Sequence, residues 1–283
     1  MKYRNKNKGF SLLSLLIAMV IGIFIIGVAL KVYVDSKQAF NARGAVAAAT
    51  ENGRFALDDM RRTLVMAGRG IAAGEDEIDN KRGLAPISDE GIVDAGTDAD
   101  ASDAVAVRYR IGPSCAGYVD ISTTDPDSER KVADISSMPA TLRFRVNGND
   151  ELVCERDMDG DGTYEFSQAI VSGIKQMRVL YGIDDNTADG YANRYLTASM
   201  VEDEDINPPP PGRTENWVRV VSLRVGLIAS SGDTELPESM RPESPQELDL
   251  LGMTYTAPDT SHIYRAYTTT ISLRNMNATV QRQ

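Results

Sequence analysis

MKYRNKNKG at residues 1–9, followed by FSLLSLLIAMVIGIFIIGVALKVYV at residues 10–34, determines the architecture of this chain. No charged residue occurs between Phe10 and Leu30. At about 1.5 Å per residue these residues form a helix about 31 Å long, which matches the hydrocarbon thickness of a bilayer. The four cations before the helix predict that its N-terminal end stays in the cytoplasm. We therefore expect a single membrane-spanning helix over residues 10–34, with the rest of the chain on the far side of the membrane.

Two other kinds of protein share part of this pattern. A secretory signal peptide has an apolar region of about 7–15 residues and ends in a small-residue cleavage site. This apolar region is longer, and no A-x-A sequence follows before Val34. A plain single-span anchor would satisfy the hydropathy equally well. The choice therefore rests on the residues at the start of the apolar run.

The junction GFSLLSLLIAM, residues 9–19, resembles the class III signal of type IV prepilins and pseudopilins. The resemblance implies that a prepilin peptidase cleaves between Gly9 and Phe10, and that Phe10 is then N-methylated. It also implies that the helix is kept and packs in the core of a filament. The residues expected to take part in that packing are Phe10, Ser14, Gly22 and Gly27, because close approach of helices matters more than hydrophobicity inside such a bundle.

Ser14 departs from the family pattern, since most pilins carry Glu at the fifth mature position. In the family that carboxylate is thought to pair with the N-terminal amine of a neighbouring subunit, and a matched charge pair is strong in a low dielectric. Subunits at the tip of a secretion pseudopilus also lack the Glu. Ser14 is therefore compatible with a tip or initiation role. Equally, its hydroxyl can bond its own helix and leave the position in the filament unaffected.

The helical pattern continues beyond the membrane. Small or apolar residues recur at helical spacing on one face, at Ala42, Val46, Ala49, Gly53, Ala56, Leu57, Met60, Leu64 and Ala67. Glycines from Gly68 onward end the pattern. The sequence therefore predicts four segments: a basic leader (1–9), a transmembrane or filament-core helix (10–34), the periplasmic half of that helix (35–68) and a β-rich domain with acidic and proline-rich loops (69–283).

Alternation of apolar and polar residues predicts strands in that domain, at Ala104–Ile111, Ala140–Val146, Gln176–Tyr181, Trp217–Leu227 and Tyr264–Arg274. Because no helical pattern separates them, we expect a mostly antiparallel sheet packed on the long helix. The expected fold class is α+β, with a pilin-like architecture.

Several motifs resemble the PilW-type minor pilins and occur in the same order. They are NGRFALDDMRRTLVMAG at 52–68, VLYGID at 179–184, DGYANRY at 189–195, WVRVVSLRV at 217–225 and TTTISLRN at 268–275. Each is weak alone, but together behind a prepilin-like leader they narrow the family to PilW-type minor pilins.

Composition agrees with an exported protein. The formal net charge of −11 disfavours nucleic acid as a partner, because phosphates require a basic surface. The only two cysteines, Cys115 and Cys154, lie in the exported part, where a disulfide between them is expected in an oxidising periplasm. Two separate buried thiols are the alternative.

One loop resembles the first half of a calcium-binding loop. Residues 157–165 read DMDGDGTYE, in which Asp157, Asp159, Asp161 and Glu165 could converge on one hard cation. The twelfth position holds Gln168 where an EF-hand has Glu. The same residues also suit a polar hairpin turn, which is the favoured interpretation. A second oxygen-rich loop, Asp184 to Asp189, is interpreted as a turn as well.

The sequence does not indicate an enzyme. The single histidine, His262, is expected to be structural, and no nucleophile elbow, Walker loop, C-x-x-C or H-E-x-x-H motif occurs. No cofactor is expected, apart from the open question of Ca²⁺.

The leading hypothesis is a minor pilin that takes part in type IV pilus assembly or initiation, at or near the filament tip. Its implied partners are other minor and major pilins, the prepilin peptidase and the inner-membrane assembly platform. Its implied location is the inner membrane, with the C-terminal domain in the periplasm, before incorporation into an extracellular pilus. Two alternatives stay open: a tip adhesin or ligand-binding subunit, and a pseudopilin of a type II secretion or DNA-uptake machine.

Overall fold

The computed structural model describes residues 12–71, 101–109, 115, 140–157, 162–164, 166–184, 189–203 and 216–276. These residues form two α-helices and ten strands. The helices are α1 (Leu12–Leu64) and α2 (Ala198–Asp203). The strands are β1 (Val105–Tyr109), β2 (Ala140–Val146), β3 (Glu151–Asp157), β4 (Phe166–Ser172), β5 (Ile174–Ile183), β6 (Arg194–Leu196), β7 (Val220–Ser230), β8 (Glu247–Leu250), β9 (Met253–Thr256) and β10 (Tyr264–Ser272). Short 3₁₀ helices occupy Asn216–Arg219 and Glu238–Met240.

Helix α1 is 53 residues long and contains no proline to interrupt its backbone hydrogen bonds. Its second half buries a stripe at spacings of three and four residues. The buried residues are Ala45, Ala49, Gly53, Ala56, Met60, Thr63 and Leu64. The predicted helical face is confirmed, although Ala45 is buried where the sequence indicated the neighbouring Val46. Gly68, at a φ of 76°, allows the chain to leave the helix, and its N–H donates to the carbonyl of Arg108.

Two antiparallel sheets of four strands pack with α1. The first has the order β1-β2-β3-β4, and the second has the order β10-β7-β5-β6. Strands β7 and β10 contact α1 most extensively, and β5 contacts β2 and β3 of the first sheet. One hydrophobic core joins all three layers, including Met60 from the helix, Phe144 from the first sheet and Leu223 from the second. The predicted α+β fold, a long helix packed on antiparallel sheets, is confirmed.

The β8–β9 hairpin covers the outer face of the second sheet. Ile228 and Tyr264 point away from α1 and form a second cluster with Leu250 and Tyr255 of the hairpin. Gly226 lets the hairpin approach closely, since a Cβ there would lie 2.8 Å from a methyl of Leu250. The second sheet is therefore covered on both faces at this end, which explains why β7 is buried along nearly its whole length.

All five strands predicted from alternation are present, with boundaries that differ by up to three residues. The strand expected from Trp217 begins at Val220 instead, because Asn216–Arg219 forms a 3₁₀ turn. This turn places Trp217 edge-on to Tyr181, with ring centroids 5.0 Å apart, and lets its indole N–H donate to Glu202. Strands β3, β4, β6, β8 and β9 and helix α2 were not predicted.

Candidate functional site

The first half of α1 is an exposed apolar rod, which we call the stem (Leu12–Val34). Its large side chains are between 48% and 76% exposed, and none of its most apolar window is buried. Within the described part of the chain, this is the one helix long and apolar enough to cross a membrane, with a mean hydropathy of 2.9 over 18 residues. So much apolar surface needs lipid or other protein around it.

The small residues of the stem lie on different faces. Successive residues of an α-helix are about 100° apart, so Ser14, Ala18 and Gly22 fall on one side. Gly27 lies about 140° around the helix from Gly22 and faces another direction. Apart from the adjacent residues and the helix's own backbone, no atom lies within 4 Å of a Cβ built at either glycine. The two glycines predicted to allow close packing in the filament core would therefore meet different neighbours. The predicted processing residues Gly9 and Phe10 lie outside the described residues.

The second half of α1 has an outward face opposite the sheets. A shallow groove there is lined by Ala47, Thr50, Glu51, Arg54, Phe55 and Asp58. Phe55 is 53% exposed, and Asp58 accepts a hydrogen bond from Arg62 one turn later. Phe40, at 76% exposed, lies on the same side nearer the stem. The exposed aromatic rings of Phe40 and Phe55 are of a residue type that is enriched at protein interfaces.

A disulfide joins Cys115 to Cys154, with the two sulfurs 2.06 Å apart. Both residues are buried, and Cys154 lies in β3 opposite Phe144 of β2. The bond ties the chain after β1 to the middle of the first sheet. The disulfide expected from the sequence is thus present in the structure, and it closes a loop of 39 residues.

Glu155 forms a buried ion cluster with two arginines, which the sequence did not reveal. Its carboxylate accepts from Arg143 at 2.8 Å and from Arg145 at 2.7 Å. Burial acts to raise the pKa of Glu155, but the hydrogen bonds from Arg145 and Arg143 outweigh it and hold that pKa below its usual value. Arg143 also stacks on the ring of Tyr164, and burial raises the pKa of Tyr164 to about 12.

Asp157, the first residue of the calcium-like motif, holds the backbone of Gly162. It is buried, and its Oδ2 accepts the N–H of Gly162 at 3.1 Å. Asp159, Asp161 and Glu165 lie outside the described residues. Asp184 acts in the same way on Gly190 at 2.8 Å. Among the described residues, no group of three or more His, Cys, Asp or Glu side chains could hold a metal ion.

His262 belongs to a network centred on Asp259. The carboxylate accepts from the Tyr264 hydroxyl at 2.7 Å and from the backbone N–H of Ser261 and His262, and Nδ1 of His262 lies 3.0 Å from it. Burial acts to raise the pKa of Asp259, but these hydrogen bonds hold it far below its usual value. The network fixes the loop before β10 onto that strand.

Comparisons with known proteins give two matches to family models. The model described as "Type IV Pilus-assembly protein W" matches residues 141–275. The model described as "Prokaryotic N-terminal methylation motif" matches residues 4–30. Together they span more than half of the chain, and they cover most of the leader and of the stem and nearly all of the region from β2 to β10.

Among solved structures, a type IV-like pilin from Thermus thermophilus is similar to this chain. It shares 13% sequence identity at a TM-score of 0.40, and the similarity covers 78% of this chain and 94% of that one. Because the identity and the TM-score are both low, this similarity does not establish a shared function. No curated protein sequence matches this chain significantly.

Proposed function

Because this chain belongs to the PilW-type family of type IV pilins, and so has a pilin role in pilus assembly, we propose that it is a minor pilin that initiates the filament and sits at or near its tip. The observation that supports the proposal is the exposed stem (Leu12–Val34), which continues without a break into a helix packed on two sheets. A rod of this kind can be held in lipid and later packed among equivalent helices, because both surroundings are apolar.

The tip position is supported by Ser14. A subunit within the shaft is expected to need a carboxylate near the N-terminal amine of its neighbour, since an unmatched buried charge is costly. A subunit at the outermost position has no neighbour to neutralise on its outer side. We propose that Ser14 marks such a position, on the same face of the stem as Ala18 and Gly22.

The proposed route runs from membrane to filament. In this route the prepilin peptidase cuts after Gly9, Phe10 is methylated, and the stem holds the subunit in the inner membrane with its sheets in the periplasm. The assembly platform then moves the subunit out of lipid, and the outward face of α1, with Arg54 and Phe55, contacts other minor and major pilins. The apolar stem and the methylation motif fit membrane anchoring.

N-terminal mass spectrometry of the membrane-extracted protein tests the first step. We expect a mature chain that begins at N-methylated Phe10. A protein that retains its leader, or one cleaved beyond Leu30, would contradict the proposal, because the stem would then be absent or unprocessed.

Deletion of the gene tests the role in assembly. We expect surface pili to be lost or sharply reduced, as counted by electron microscopy, and to return when the wild-type chain is supplied. Normal pili with lost attachment would favour a tip adhesin instead. Intact pili with failed protein export would favour a pseudopilin.

For the Asp157 turn we propose a structural role without a cation, because its carboxylate already holds Gly162. Millimolar calcium should then leave the melting temperature of the wild type unchanged, and Asp159→Ala should respond in the same way. A calcium-dependent rise in the wild type that Asp159→Ala abolishes would instead support a weak calcium site.

A further inference from the structure

The second sheet ends at strand β10, and within the described part of the chain no strand pairs with its outer edge, the side away from β7. We propose that an extended segment of another pilin adds to this edge as a fifth strand, antiparallel to β10, and brings a carboxylate to the arginines beside it. The inference rests on the proposed function, because it assigns a contact made during pilus assembly to one surface of the subunit.

The hydrogen bonds at the two ends of β10 show which backbone groups face outward. Just before the strand, the carbonyl of Ile263 accepts from the N–H of Ser231. Just after it, the N–H of Leu273 donates to the carbonyl of Val221. Both bonds point toward β7, the register between them is unbroken, and the direction alternates along an antiparallel strand. The even-numbered residues of β10 therefore turn their N–H and C=O groups to the outer edge.

This outward row is filled at one end and open along the rest. The N–H of Tyr264 donates to Oε1 of Gln246 at 3.2 Å, so a side chain occupies the first position. The next positions extend over about 20 Å of strand, and they are Ala266, Thr268, Thr270 and Ser272. The side chains of the last three are exposed, and no described residue forms a backbone hydrogen bond with the row. Such a row is a template for pairing with another chain.

The other three edges of the two main sheets are protected in ways that β10 is not. Strand β1 is largely buried, β6 has only three residues, and β4 is interrupted by a register shift opposite Leu152 and Val153. Native proteins use such devices to prevent edge-to-edge pairing. Strand β10 has nine residues, and no charged residue occurs between Arg265 and Arg274. An edge of this kind is suited to β-strand addition.

A groove beside the start of β10 specifies the charge of the partner. It lies between α1 and the sheet domain, and its lining includes Ala42, Arg43, Val46, Met240, Pro242 and Arg265. Both arginines are exposed, neither forms an ion pair with a described residue, and no described carboxylate lines the groove. Alternate side chains of an added strand would point toward α1, as Tyr267 of β10 does. One of them, at the groove end, is therefore expected to be Asp or Glu.

The direction of β10 excludes a second copy of this chain as the antiparallel partner. Tyr267 meets Gly53 of α1, and farther along both elements Asn275 donates to the carbonyl of Val65. Strand β10 therefore runs in the same direction as α1, away from the stem. Two copies paired antiparallel through β10 would point their stems in opposite directions, which a common membrane does not allow. A segment of a different pilin that runs back toward the membrane meets the requirement.

Disulfide cross-linking in cells tests the proposal with the full chain and the other pilins of the same pilus. Both native cysteines are in the disulfide, so single added cysteines react selectively. Thr268→Cys and Thr270→Cys place thiols on the edge strand, and Thr254→Cys, at an exposed threonine of β9, is the matched control. Ile23→Cys reports on packing of the stem. Each is combined with single cysteines scanned through the other pilins, because facing residues of paired strands have Cβ atoms about 4.5–5.5 Å apart.

We expect positions 268 and 270 to cross-link to one of those pilins at least fivefold more than position 254. The two partner sites should lie two residues apart and in reversed order, as in an antiparallel pair. Thr268→Pro should lower cross-linking at position 270 at least fivefold, because it removes an outward N–H without breaking a bond to β7. Thr268→Val keeps that N–H and should leave cross-linking unchanged. The melting temperature shows whether each variant folds, and the cross-link pattern decides without the proline variant.

Stem cross-links from Ile23→Cys with no excess at positions 268 and 270 would overturn the edge contact and leave the contact with other pilins intact. No cross-link from any position would overturn both. Cross-links from positions 268 and 270 to a second copy of this chain would overturn the assigned partner. Partner sites without the two-residue spacing, or equal losses in Thr268→Pro and Thr268→Val, would overturn pairing through the backbone.

Discussion

At Gly53, α1 packs closely against Tyr267 of the second sheet. A Cβ at this position would lie 2.6 Å from Cε2 of Tyr267 and nearer still to Cδ2. We expect Gly53→Ala to destabilise the domain by about 1–3 kcal/mol, because the ring of Tyr267 must shift within a packed core. Denaturant unfolding of the detergent-solubilised chain, followed by fluorescence of the single tryptophan Trp217, measures the effect.

Gly44→Ala on the same helix is the matched control. Position 44 is exposed, and apart from the adjacent residues and the helix's own backbone no atom lies within 4 Å of an added Cβ. This change should stabilise the helix by about 0.5–1 kcal/mol, because alanine favours the helical backbone. If both substitutions shifted the unfolding midpoint in the same direction, contact with Tyr267 would not be the reason glycine is needed at position 53.

Glu155 gives stability that depends on pH. Its pKa in the folded protein is lowered from the usual 4.5. A lowered carboxyl pKa contributes stability that is present above the unfolded pKa and is lost as the pH falls through the folded pKa. We expect Glu155→Gln to cost about 2–4 kcal/mol at pH 7, since two arginines lose their partner, and to cost progressively less below pH 4.5.

Asp58→Asn provides the comparison for that ion cluster. Asp58 pairs with Arg62 on the exposed face of α1, where ion pairs contribute only about 0–1 kcal/mol. At pH 7, Glu155→Gln should unfold at a lower denaturant concentration than Asp58→Asn. At pH 3, the unfolding midpoints of the two variants should no longer differ. If Glu155→Gln lost the same amount of stability at both pH values, the cause would be altered packing and not the loss of charge.

At the scale of the element, the disulfide stabilises β3 and the chain after β1. Closing a loop of 39 residues contributes about 4 kcal/mol in the chain-entropy model. The double variant Cys115→Ser/Cys154→Ser should therefore lose about that amount and should no longer respond to reductant. The melting temperature with and without dithiothreitol measures both effects. A wild-type protein that is insensitive to reduction would show that the first sheet is stable without the bond.

Whether a strand could be predicted from the sequence depends on its length and on how it is buried. Strand β10 keeps one face largely exposed, and its alternation is visible in the sequence. Strands β1, β5 and β7 also alternate in residue type, although the structure buries both of their faces. Strand β4 (FSQAIVS) is a largely exposed edge strand and shows no clear period. Strands β8 and β9 have only four residues each.

The ion cluster could not be predicted for a different reason. The sequence shows alternating arginines in ATLRFRV, but the partner of Arg143 depends on the register of the β2–β3 hairpin. Asn147 sets that register by accepting the N–H groups of Asn149 and Glu151, and Asp150 adopts a φ of 58°. Such pairings arise from turn geometry and become visible only once the strands are aligned. The disulfide was predictable because only two cysteines exist.

At the scale of the whole molecule, the residue at position 14 bears on where the subunit sits in the filament. We expect Ser14→Glu to lower piliation on the order of tenfold, because a carboxylate without a matched cation costs a few kcal/mol in an apolar bundle. Ser14→Ala should leave pili unchanged. Electron microscopy counts the pili, and immunoblots of sheared filaments measure the incorporated subunit. Ser14→Glu that increased the amount of this chain along the shaft would contradict the proposed tip position.

The unbroken helix α1 couples the orientation of the stem to the position of the sheet domain. From the end of the stem at Val34 to Leu64, α1 extends about 45 Å without a proline or another break. Membrane helices tilt by about 20° on average, and such a tilt moves the far end of α1 sideways by about 15 Å. Small changes in the tilt of the stem therefore produce large changes in the position of the far end of the sheets. The exposed Tyr191, which follows β5, lies at that end. Substitution of a few stem side chains can thus change the position of the far end of the sheets, although those side chains do not contact it.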